Sequence, residues 1–288
     1  MLQLSAAIAG LATGGAYALM GLSTLLTYRL VAVVNFAQAA VGAIGAFTMV
    51  VLYEAGIPLV LAVPLGLVAA AVLHMGLGVV MVRWFSEAGE GVKAAVTIAV
   101  YIGLVAVGLR LFGAQHPHRF PNPFDAPALT VGGVVVTWTA VVTMVLAILF
   151  AVLPAVLLRR TRIGLLLRAA AERPTTAELA GVRVPRLAMV VWATAGAASA
   201  LAIMIVAPTL ASDFGSQVLL ITPALAAALV GGFHGFLWTF VGGVALGVLQ
   251  GLASTIVQLQ QYRGVLPFLV ILVVLVWTRR RDRWDEPA

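Results

Sequence analysis

The sequence predicts an all-α polytopic membrane protein of about eight to nine hydrophobic helices, some of them broken or re-entrant. Three observations predict it. Of the 288 residues, 62% are hydrophobic and only 9% charged, where a soluble domain is roughly a quarter charged. Apolar runs recur along the chain at lengths near the roughly 20 residues that a helix needs to cross a hydrocarbon core of about 30 Å. Sixteen of the 17 basic residues are arginine, and they sit in short segments between those runs.

Nine runs fall near 4–28, 30–53, 58–82, 94–112, 134–158, 187–207, 217–233, 236–257 and 264–278. The first lacks a basic leading region and continues as a long apolar segment, so it reads as a helix that stays. The runs at 217–233 and 264–278 are short for a full crossing. The break between the first two runs, from 28 to 30, holds only Tyr28, Arg29 and Leu30.

Short loops rich in Lys and Arg stay in the cytoplasm. If the nine runs cross in order, the stretch 159–186 and the tail Arg279, Arg280, Arg281 and Arg283 lie on one side. Arg29, Arg83 and Lys93 join them there, making fourteen basic residues against Arg110, Arg119 and Arg263 opposite. The N-terminus is expected outside and the C-terminus in the cytoplasm, with 1–288 forming one transmembrane domain. The net charge of +7 is thus a topology signal, and no nucleic-acid partner is expected.

The stretch 113–133 is an outer loop, because four prolines and several polar residues bar it from lipid. It reads as a stiff external cap or docking edge, or as a plain connector. His116 and His118 lie in it, but without Cys or a carboxylate pair they make a poor metal site, and no metal is expected. The chain has no cysteine, which excludes disulfides, thiolate metal sites and a Cys nucleophile.

Asn35 and Gln38 place uncharged amides inside an apolar run. An unpaired amide there costs several kcal/mol, so both should face protein or a wet cavity. Their i, i+3 spacing puts them on one helical face. They line a solute path, or they hold helices together.

In 161–182, Thr175-x-x-Glu178 has the pattern of a capping box opening a short helix, and Gly181 is a natural C-terminal stop. A short capped helix outside the membrane is a docking element. The alternative is a solvated basic loop.

In 217–235, Pro223 removes a backbone donor, and Gly231, Gly232 and Gly235 allow a break or sharp turn. This reads as a kinked or re-entrant helix of the kind that lines transport paths, with a tight turn between ordinary helices as the alternative. His234 reads as an interfacial turn residue.

No G-x-x-x-x-G-K-[ST] loop is present, so the chain is not expected to hydrolyse ATP or to be an enzyme. No Asp or Glu stands at the middle of a run, which weakens a proton- or sodium-coupled carrier. An energy source docked from outside the chain is the economical expectation.

Several segments together resemble the membrane permease of the branched-chain amino-acid ABC importers, in particular its LivH-like half. They are Gly14-Gly15-Ala16-Tyr17-Ala18-Leu19, Asn35-Phe36-Ala37-Gln38 with Gly45-Ala46-Phe47, Thr161-Arg162-x-Gly164-x-x-x-Arg168-Ala169 with Ala177-x-Leu179-x-Gly181-Val182, and Gly231-Gly232 with Gly242-Gly243. Their order spans most of the chain.

The resemblance implies a subunit of the bacterial cytoplasmic (inner) membrane that pairs with a second, related permease, two cytoplasmic ATPases and an external solute-binding protein. ATP and Mg would be held by those ATPases, with no cofactor in this chain. It implies path residues Tyr17, Asn35, Phe36, Gln38 and Thr222, with ATPase coupling through Arg168, Ala169, Glu172, Ala177, Glu178 and Gly181. The family often has Gly-Glu where this chain has Ala39-Ala40, and a different turn at Gly231–Gly235. Branched-chain amino acids are the first expectation for the solute, while relatives of this architecture handle urea, short amides or other small carboxylic compounds. The alternative class is a self-sufficient carrier or channel, which would pass solute alone down a gradient. A membrane scaffold is a third class, for which no residue speaks.

Overall fold

A computed structural model describes residues 2–31, 33–113, 117–131, 133–210 and 212–282. The helices are α1 (Leu2–Val31), α2 (Gln38–Glu54), α3 (Leu59–Trp84), α4 (Glu90–Phe112), α5 (Trp138–Arg160), α6 (Arg162–Glu172), α7 (Pro174–Leu179) and α8 (Val184–Val206). They continue with α9 (Phe214–Val218), α10 (Ile221–Val230), α11 (Phe236–Ala253), α12 (Val257–Gln260) and α13 (Leu266–Asp282). Among the described residues, six helices are long and apolar enough to cross a membrane, and 38–54, 214–230 and 263–278 are shorter apolar segments. Each of the nine apolar runs is therefore helical over most of its length.

Four elements differ from expectation. The second run does not begin as helix. The α1 helix continues through Arg29, and α2 starts only at Gln38. Asn35 accepts the Ala37 N–H at 3.0 Å through its side-chain oxygen, a local bond that competes with the helix. Asn35 and Gln38 accordingly do not share a helical face.

The proposed capping box is not formed either. Arg173 precedes α7 with no side-chain cap, and Pro174 opens the helix, where its missing N–H costs nothing. The helix does stop where expected, with Gly181 at φ +85°. Thr161 caps the preceding α6, accepting from Gly164 N–H at 3.0 Å.

The outer loop is not wholly irregular. Its end folds into an antiparallel hairpin of β1 (Pro127–Val131) and β2 (Val134–Thr137). Leu129-Thr130-Val131 and Val134-Val135-Val136-Thr137 suit strands, and Gly133 supplies a φ of 81° at the reversal. His116 lies outside the described residues. The eighth run ends early as helix, at Ala253.

The expected break at 217–233 is present. Pro223 cannot donate to the carbonyl of Leu219, and its ring crowds that carbonyl. The backbone turns at 219–220 between α9 and α10.

The centre of the bundle is α1, which packs most extensively on α11 and also on α5, α8 and α10. Small residues bring α1 and α11 into backbone contact: a Cβ at Gly247 would lie 2.3 Å from Gly14 Cα, and one at Gly243 only 2.5 Å from Ala18 Cα. A second group joins α2, α3 and α8, with Gly42 against Ser199. Large apolar residues of α3, α4 and α13 such as Val60, Ile102 and Leu272 are exposed, as a lipid-facing surface requires.

The bundle has two distinct ends. At one, Arg29 donates to the His234 carbonyl at 3.1 Å and lies over the Phe236 ring, close to α6 and the 159–186 stretch. At the other, His118 N–H donates to the Ser212 carbonyl at 3.2 Å beside Glu54 and the hairpin. We call these the arginine end and the hairpin end.

Candidate functional site

Two polar regions lie within the apolar bundle. The first is the buried connection from α1 to α2. Non-helical backbone at 33–37 runs among α3, α4 and α8, with Thr97 lying about 10 Å along α4 from its start. Such backbone survives in a membrane protein only if its polar groups are partnered inside the protein. Several of them are: Thr97 Oγ1 accepts the Phe36 N–H at 3.3 Å and reaches the Val34 carbonyl at 3.2 Å.

Asn35 Nδ2 meets His74 Nε2 of α3, whose Nδ1 lies 2.7 Å from the Trp192 carbonyl of α8. The carbonyl can only accept, so Nδ1 carries the proton and Nε2 accepts from the amide. Gln38 Nε2 donates to Ser23 Oγ of α1 and, at 2.7 Å, to Ser199 Oγ of α8. Asn35, Gln38, Ser23, Ser199 and His74 are all fully buried, and Phe36 is half-buried. This network joins four helices, and none of its residues lines the cavity described next.

The second region is a cavity of about 570 Å³ near the hairpin end. It is walled by α1, the α9–α10 break, the end of α11 and the segment leading into α13. Tyr17, Thr222, Ser216, Gln250 and Arg263 line it, with Leu219, Pro223 and Phe268 supplying apolar wall. Tyr17 donates its hydroxyl to Gln250 Oε1 at 2.7 Å, and Gln250 Nε2 donates to the Arg263 carbonyl at 3.3 Å. That chain ties the loop 256–265 to α1 across the cavity.

The cavity owes its wall to the broken helix. The turn at 219–220 leaves Ser216 on one side and Thr222 on the other, both on the lining. Asp213 caps α9 by accepting from Ser216 N–H at 2.9 Å. Burial raises the Asp213 carboxyl, but hydrogen bonds from the Ser216 side chain and neighbouring backbone N–H groups bring it below its usual value.

At the arginine end, α6 and α7 form a short bent pair. Arg168, Ala169, Glu172, Glu178 and Gly181 are exposed, whereas Ala177 is buried. Leu179 at the tip is 86% exposed.

Of the path residues expected from the sequence, Tyr17 and Thr222 come together at the cavity, while Asn35, Phe36 and Gln38 lie in the separate buried network. Sequence reasoning missed Gln250 and His74. Both were visible by the rule that singled out Gln38, since each is a polar residue inside an apolar run. Arg263 was seen only as an outer-side charge.

The family described as branched-chain amino acid transport system / permease component matches residues 6–275. The high-affinity branched-chain amino acid transport system permease protein BraD of Pseudomonas aeruginosa is 22% identical over 295 residues, covering 93% of this chain and 91% of that protein. The corresponding LivH of Escherichia coli K12 is 24% identical over 294 residues, with the same coverage. A probable LivH of Methanocaldococcus jannaschii is 24% identical, covering 90% of this chain and 84% of its own. Among solved structures, PsaBC from Streptococcus pneumoniae in complex with Fab aligns with a TM-score of 0.49 at 13% identity, over 94% of this chain and 90% of that one. The family match covers nearly the whole bundle, both polar regions and the α6–α7 pair, and the chain belongs to the permease components of branched-chain amino acid transport systems.

Proposed function

We propose that this permease subunit, with 1–288 acting as one domain, carries its solute through the cavity beside the α9–α10 break, with Tyr17, Thr222, Gln250 and Arg263 on the path. The observation that carries the reading is the position of this mostly apolar cavity with its few polar groups, on a broken helix and at the opposite end of the bundle from α6 and α7. Broken helices offer free backbone groups and hydroxyls to a polar solute at membrane depth. The first solute class is branched-chain amino acids, as the names of the relatives state for those proteins.

In this reading the hairpin end faces outward and receives an external solute-binding protein, and the arginine end is cytoplasmic. The exposed residues Arg168, Ala169, Glu172, Glu178 and Gly181 meet the partner ATPases, with Ala177 seating the pair on the bundle. Two ATPases hold ATP and Mg, and a second related permease completes the path. Asn35, Phe36 and Gln38 hold the bundle together beside that path. Support for this division is the full burial of Asn35 and Gln38 and the position of all three outside the cavity lining.

Isolation of the subunit from its native membrane tests the reading. Two ATPases and a second permease are expected to co-purify, with ATP hydrolysis stimulated by loaded binding protein. A lone chain that passes solute down a gradient in liposomes overturns it.

A further inference from the structure

We propose that the cavity holds a carboxylate-binding subsite centred on Arg263, which accepts small carboxylates with an apolar body and does not require an ammonium group. The proposal rests on the reading of the cavity as the solute path.

Charge in the cavity is one-sided. No Asp or Glu is among its lining residues, and Arg263 is its one cation. Among the described residues the ion pair present is His118 with Glu54, and Arg263 has no carboxylate partner among them. Asp213, on the same connection as Ser216, is engaged in capping α9.

The hydroxyl donors of the cavity are largely committed. Tyr17 donates to Gln250, Thr13 to the Gly10 carbonyl at 3.1 Å, and Ser254 to the Gly251 carbonyl at 2.6 Å. The guanidinium remains as a charged donor, and its planar fork matches a carboxylate. A carboxylate beside Arg263 would lay its apolar body along Leu219, Pro223 and Phe268. An ammonium group would meet hydroxyl oxygens but no counter-charge. The permease cavity therefore selects on the carboxylate alone, and a 2-oxo acid should enter as readily as the amino acid of the same skeleton.

The chain has no cysteine, so one introduced thiol, read on this subunit's own band, reports on the cavity without background from the chain. Ser254→Cys on the cavity wall, in the full chain within its complex, is labelled with anionic and with cationic methanethiosulfonate reagents. The anionic-to-cationic rate ratio is expected to fall about threefold to tenfold when Arg263→Gln is added and to recover with Arg263→Lys. Leucine and 4-methyl-2-oxopentanoate should both slow labelling, while the amine isopentylamine should not. An unchanged ratio in Arg263→Gln overturns the subsite, as does protection by leucine without protection by the 2-oxo acid. Labelling does not depend on transport: loss of the Arg263 effect in a complex that still imports solute defeats the subsite alone. Retention of the effect in a chain with no ATP-driven uptake defeats the permease path instead.

Discussion

Gln38, the first residue of α2, donates to Ser199 Oγ on α8 at 2.7 Å and also to Ser23 on α1, so one amide ties three helices together in a fully buried position. Ser199 in turn sits against Gly42, where a Cβ would be only 2.9 Å from the Ser199 Cβ. The close approach of α2 and α8 and the hydrogen bond therefore depend on each other.

Replacing Gln38 by Leu should lower the stability of the purified subunit by about 1–3 kcal/mol, because two hydroxyls lose a partner in an apolar interior. Thermal unfolding in detergent measures this. Wild-type stability together with lost uptake would instead place Gln38 on the solute path.

The α1–α11 contact leaves no room for a methyl group. Gly247→Ala would drive a Cβ to within 2.3 Å of Gly14 Cα, and the subunit should fail to accumulate in the membrane. Gly76→Ala on α3 is the control, since its Cβ meets nothing within 4 Å. Its stability should stay within about 1 kcal/mol of wild type. Comparable yields of the two variants would contradict the packing account.

His118 joins the outer loop to the ends of α2 and α4. Its Nδ1 lies 2.9 Å from Glu54 Oε2 and its Nε2 lies 3.1 Å from the Phe112 carbonyl, while Glu54 Oε1 accepts the Arg119 N–H at 3.1 Å. Both ring nitrogens face acceptors, so only the imidazolium satisfies both. Removing the shared carboxylate by Glu54→Ala should therefore speed hydrogen exchange in 117–124 severalfold at a fixed pH. Unchanged exchange in Glu54→Ala would count against the latch.

Leu179 and Glu178 separate two roles at the arginine end. Neither supports α7 internally, since Glu178 forms no cap and Leu179 stands clear of the bundle. Leu179→Ser and Glu178→Ala should leave the unfolding temperature unchanged and reduce ATPase stimulation in the complex severalfold. A drop in unfolding temperature would mean that the α6–α7 pair is stabilised by these side chains.

Much of the helical frame was legible because lipid makes hydrophobic runs nearly equivalent to helices. Pro223 and Gly181 announced their breaks through backbone chemistry that depends on the residue alone. The start of α2 was not legible, because Asn35 could continue a helix or bond its own backbone, and Thr97 and His74, far along the chain, decide between them. The capping box failed for a similar reason: Thr175 and Glu178 have the right spacing, but Pro174 already begins the helix one residue earlier.

The site was half legible. Tyr17 and Thr222 reach the cavity, but the cavity itself arises where α1, α11 and the 256–265 loop meet around the α9–α10 break. Nothing in the spacing of Gln250 and Arg263 reveals that a tyrosine more than two hundred residues earlier completes their chain of hydrogen bonds.

The most direct test fills the cavity. ATP-driven solute uptake would be measured in proteoliposomes carrying the intact complex with Thr222→Trp, alongside assembly and basal ATP hydrolysis. Uptake reduced at least about tenfold in an assembled complex that still hydrolyses ATP is the expected result, whereas wild-type uptake through a complex with the indole in place would contradict the assignment of this cavity as the solute path.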